Sequence, residues 1–114
     1  MTIKQYVCCV QSAADYSDPD AYVSDLALSS VWGSEEGEIP ADRITALRGI
    51  YTAYHRTVKD IAAAAGLPQR KLAERFGIPY RTVEDWCRGI NTCPVYTRLM
   101  MQECLGLFRP EVTP

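Results

Sequence analysis

From Thr57 onward, apolar residues recur in short bursts at helical spacing, and most bursts are closed by a glycine. Thr57 is placed to cap a helix over Val58–Ala65, with Gly66 as the left-handed residue after it. Leu67-Pro68 opens a second helix, which runs through Leu72, Ala73 and Phe76 to a stop at Gly77. Ile78-Pro79 opens a third, with Val83 and Trp86 inward, ending at Gly89. A loop over Ile90–Cys93 follows, and Pro94 opens a last helix carrying Val95, Leu99, Met100, Cys104 and Leu105.

The first half is patterned differently. Contiguous apolar residues from Tyr6 to Val10 predict a strand over Ile3–Val10, paired either near Ala27–Trp32 or with a second copy of the chain. Asp18-Pro19 is a cap followed by a first-turn proline, and Tyr22, Val23, Leu26 and Ala27 behind it predict a helix over 19–31. Residues 33–38 are polar and glycine-bearing, which predicts a linker. Pro40 opens a helix with Ile44, Leu47, Ile50, Tyr51 and Tyr54 on one face, ending near His55. The expected fold is mostly α, a helix-turn-helix bundle of four to five short helices over 40–114. An acidic extension of one strand and one helix, 1–39, precedes it.

Composition narrows the class. The chain has 114 residues, 47% hydrophobic and 23% charged, the balance of one ordinary globular core. No apolar run approaches the ~18 residues of a membrane span, and the first residues lack the pattern of a signal peptide, so a cytoplasmic protein without membrane contact is expected. The five cysteines (Cys8, Cys9, Cys87, Cys93, Cys104) form no CxxC pair, which speaks against a disulfide framework and a zinc knuckle. With His55 as the single imidazole, and no HExxH, GxSxG or glycine-rich phosphate loop, neither an enzyme nor a metal or other cofactor is expected.

The net charge of −2 conceals a division. Residues 1–55 carry three bases against eight acids, whereas residues 56–114 carry nine bases against six acids. A basic half beside an acidic one is the distribution of a nucleic-acid-facing surface with a second surface for other contacts.

Ala73, Gly77, Val83 and Trp86 stand at relative offsets 0, 4, 10 and 13. Where two helices cross at ~90–120° through a tight turn, the first needs a small inner side chain and the turn a residue free to take positive φ. Two apolar residues three apart then plug the angle from the second helix. Leu72 completes this motif core. The stretch Gln69–Gly89 resembles the Cro/repressor-like (XRE-type) helix-turn-helix regulators, in particular the small mobile-element or antitoxin-like kind, over about residues 57–107. In that family a tryptophan and then a glutamate precede Arg-Gly, and Cys87 stands here where the glutamate is usual.

The resemblance implies double-stranded DNA as partner, with the helix over 79–88 in the major groove of an operator and a dimer spanning two half-sites. Tyr80, Arg81, Glu84, Asp85 and Arg88 would then face base edges, Arg81 gripping guanine and Glu84 accepting from a cytosine amino group. Gln69, Arg70, Lys71 and Thr82 would lie against phosphates and set register. A second reading stays open, a protein-interaction module such as an antitoxin or small inhibitor that turns its acidic N-terminal half, 1–39, toward a basic partner.

Overall fold

The computed structural model describes residues 1–33 and 39–113. Most of the expected linker, 34–38, lies outside this description, beside the expected division at 39/40. The described residues are mostly helical, and the chain forms two units, Met1–Tyr54 with Pro110–Pro114, and His55–Arg109.

The first unit begins with a correction. Ile3–Ser12 is a helix, α1, and not the expected strand. Its start is fixed by a capping box: the Thr2 hydroxyl accepts from the Gln5 N–H at 3.1 Å while the Gln5 Oε1 accepts from the Thr2 N–H at 2.8 Å. Two satisfied donors and the burial of Cys9 outweigh the β preference of Tyr6-Val7-Cys8-Cys9-Val10. The only β pairing among the described residues is an isolated parallel bridge between Thr2 and Thr113.

Helix α2 spans Pro19–Ala27, capped by the Asp18 carboxylate, which accepts from the N–H groups of Asp20 and Ala21. It stops short of residue 31 because the Leu26 carbonyl is taken over by other donors. The Ser29 N–H and hydroxyl reach it at 3.1 and 2.8 Å, and the Trp32 indole N–H at 2.8 Å. Helix α3 (Ala41–His55) buries Leu47, Ile50, Tyr51 and Ala53. Tyrosines organise this unit: Tyr22 is buried 5.2 Å from the Tyr51 ring and 5.6 Å from that of Tyr16. The Tyr22 hydroxyl donates to the Cys9 carbonyl at 2.7 Å and the Tyr51 hydroxyl to that of Tyr16 at 3.1 Å.

The second unit holds α4 (Val58–Ala65), α5 (Gln69–Phe76), α6 (Tyr80–Arg88) and α7 (Val95–Cys104). Thr57 and Asp60 form a capping box at the start of α4. Val58, Ala62, Leu72, Ala73, Val83, Cys93 and Met101 make one buried cluster, with Leu67, Phe76, Ile78, Tyr80, Trp86, Cys87 and Leu105 packed around it. Beside it lies a polar anchor. Gln102 is fully buried, its Oε1 accepts from Arg56 at 3.2 Å, and Arg98 donates to the Arg56 carbonyl at 2.6 Å. No helix among the described residues is long and apolar enough to cross a membrane.

Candidate functional site

The residues singled out by spacing fall on α5, the connection Gly77-Ile78-Pro79, and α6. Helix α5 ends because Gly77 turns left-handed, at φ +65°. Its N–H reaches the Glu74 carbonyl at 3.3 Å, and the Ile78 N–H reaches that of Ala73 at 2.9 Å. Pro79 then begins α6 without a side-chain cap, its carbonyl accepting from the N–H groups of Thr82 and Val83.

Leu72 and Val83 are fully inaccessible and Ala73 is buried, while Trp86 is half-buried against the same cluster. Anchoring α6 through Val83 and Trp86 turns its other side outward.

On that side charges pair across one helical turn. Arg81 is 82% exposed, with its Nε 3.4 Å from an Oδ1 of Asp85 that is itself only 17% exposed. Arg88 is exposed, with its Nη1 3.8 Å from Glu84 Oε1, and Glu84 is half-buried. The adjacent acids are thus each matched by an arginine four residues away, and α6 carries no net charge. Tyr80 is half-buried against the core, with the Arg70 guanidinium 4.2 Å from its ring centre. This cation–π contact ties the start of α5 to the start of α6.

Gln69 opens α5 half-buried, and Lys71 is exposed, 3.4 Å from Glu74. Thr82 is half-buried in the first turn of α6. The first turns of α5 and α6 contain no acidic residue, whereas that of α4 contains Asp60. Arg70 and Lys71 stand in its place on α5, against the helix dipole.

The surroundings are basic. Residues 55–109 carry nine bases against five acids, and the other unit three bases against nine acids. Cys87 is half-buried beside the site; burial pushes its thiol up and the nearby Lys59 charge pulls it back. Among the described residues no group of three or more His, Cys, Asp or Glu side chains could hold a metal ion.

Sequence reasoning missed the Arg70–Tyr80 contact and the buried Gln102. The first spans a turn and follows no helical period, and the second reads as an ordinary solvated residue. The Arg81/Asp85 and Glu84/Arg88 spacings were visible all along as pairs four apart. No protein-family model, no curated protein and no solved structure matches this chain.

Proposed function

We propose that residues 55–109 form a helix-turn-helix DNA reader that sets α6 in the major groove, and that the chain is a cytoplasmic transcriptional regulator. One observation carries this reading. The inner side of α6 is locked by Val83 and Trp86, and its outer side presents two exposed arginines from a unit with a basic balance. Such a surface gains phosphate contacts through counterion release and base contacts through the arginine fork. The pairing of Glu84 and Asp85 with arginines supports the reading further, because a neutralised carboxylate repels phosphate less. Two copies would read half-sites about 34 Å apart on palindromic DNA.

The experiment is fluorescence-anisotropy titration of the full chain with the DNA upstream of its own coding sequence, at low and moderate salt, with Arg81→Ala in parallel. Saturable binding that weakens steeply with salt, and roughly tenfold with the substitution, is the expected result. Binding no tighter than to random DNA would instead favour the second reading, in which the acidic unit engages a basic protein. The nine acids against three bases of that unit are what favour it.

A further inference from the structure

The two ion pairs of α6 share a spacing but run in opposite order. Glu84 precedes Arg88, so the acid lies toward the helix N-terminus and the base in the last turn. That order suits the helix dipole, and stabilisation of the helix accounts for it. Arg81 precedes Asp85, with the base in the first turn and the acid toward the C-terminal end. That order opposes the dipole, in a first turn that already lacks a side-chain cap and an acid. Helix stability therefore gives less reason for the order of Arg81 and Asp85 than for that of Glu84 and Arg88.

The atoms involved suggest another reason. Asp85 approaches Arg81 through Nε at 3.4 Å. A guanidinium has five N–H donors in one plane, and a carboxylate lying on its Nε side leaves the two terminal Nη groups free as a parallel fork. That fork is the arrangement that matches O6 and N7 of guanine. The Asp85 side chain is 17% exposed and that of Arg81 82% exposed, so the arginine is the more accessible partner of the pair. A carboxylate on the Nε side draws the guanidinium toward one orientation, and a free Nη fork suits the paired acceptors of guanine better than the acceptor and donor that adenine presents.

We propose that Asp85 is a positioning residue that aims the Arg81 fork at a guanine in the operator, and that it touches no base itself. This rests on the DNA-reading function proposed above. It changes the role of Asp85 from a base contact to a support for one, and it makes the specificity of the site depend on a carboxylate.

The test is selection of the full chain on a duplex pool with a randomised core. Affinities are then measured for the enriched site and for the same site with each guanine changed to adenine. The wild-type chain is expected to prefer guanine at one position by roughly ten- to a hundredfold, and Arg81→Lys to lose that preference while keeping most of its salt-dependent affinity. Asp85→Asn should cut the preference at that same position by roughly three- to tenfold without weakening binding to random DNA, and Asp85→Glu should restore most of it. Unchanged helical circular dichroism separates this from misfolding. A guanine preference that survives Asp85→Asn overturns the proposal alone, as does loss of a cytosine preference instead. A pool that yields no enriched site overturns the DNA-reading function and this proposal with it.

Discussion

The two units solve the same packing problem with different chemistry. In Met1–Tyr54, tyrosine rings fill the interior and their hydroxyls hold backbone carbonyls of neighbouring segments, as Tyr22 does at Cys9 and Tyr51 at Tyr16. In His55–Arg109, small and aliphatic side chains fill it, and left-handed glycines stop the helices at Gly66, Gly77 and Gly89. A core of Leu, Val and Ala gains from apolar area and close contact alone, so truncation is felt directly. A tyrosine core divides its contribution between ring burial and one directed hydrogen bond. The charges divide along the same line, with most acids on the tyrosine unit and most bases on the glycine-punctuated one.

The largest expected effect lies in the aliphatic core. Leu72 is fully buried on α5 in the cluster that holds Ala73 and Val83, and Leu72→Ala is expected to cost about 2–5 kcal/mol in a urea titration. The corresponding change in the first unit, Tyr22→Phe, keeps the ring and removes only the hydroxyl. The Cys9 carbonyl retains the Ala13 N–H, so the cost should be about 1 kcal/mol. If Tyr22→Phe proves as damaging as Leu72→Ala, the hydroxyls rather than the rings hold the first unit together.

Alkaline pH should separate the units next. Burial, with a smaller contribution from Cys8, raises the Cys9 thiol from 9.0 to about 11, and burial raises the Tyr22 hydroxyl further still. The folded chain therefore holds the Cys9 proton at a pH where the unfolded chain has released it. The stability this contributes is complete below about pH 9 and is lost as pH rises through about 11. The Cys9 share of the loss is about 2 kcal/mol, read as the part of the difference between urea titrations at pH 8.5 and 11 that Cys9→Ala removes. In the second unit, burial also raises Cys93, but Arg98 opposes it, as Lys59 opposes the rise at Cys87. Cys9→Ala should therefore flatten the alkaline slope more than Cys93→Ala does, and equal flattening would remove this distinction between the units.

How much was legible in the sequence follows the same contrast. In the second unit Thr57, Gly66, Pro68, Gly77, Pro79 and Gly89 punctuate the chain with residues whose backbone preferences are strong and local. The helices Val58–Ala65, Gln69–Phe76 and Tyr80–Arg88 begin and end within a residue of where those signals put them. The buried set Leu72, Ala73 and Val83 was likewise readable from periodicity. In the first unit the run Tyr6–Val10 looked like a strand because its β-branched and aromatic content outweighed a quieter signal, Thr2 three residues before Gln5. Helix α2 looked longer than it is because the donors that take over the Leu26 carbonyl include an indole six residues away. At the candidate site, Arg81 and Arg88 are exposed as the spacing predicts, whereas Tyr80, expected to face outward with them, packs against the buried cluster. The approach of Asp85 to Arg81, and of the Arg70 guanidinium to the Tyr80 ring, depends on side-chain geometry that spacing alone does not decide.

The smallest effect is the sharpest comparison, because the same substitution should change sign between the units. Gly77 and Gly49 each have open space where a Cβ would be added, with nothing within 4 Å. Sterics with neighbours therefore drop out, and only the backbone decides. Gly77 closes α5 at φ +65°, where an L-residue meets its own carbonyl, so Gly77→Ala should destabilise by about 1–2 kcal/mol. Gly49 lies inside α3 without a positive φ, where alanine lowers the entropy of the unfolded chain and suits the helix. Gly49→Ala should therefore stabilise by up to about 1 kcal/mol. Both are read from the denaturation midpoint at constant m-value. A destabilising Gly49→Ala would mean that helix propensity does not limit α3, while a neutral Gly77→Ala would mean that the stop before Ile78-Pro79 is set by the proline and the buried cluster rather than by the glycine.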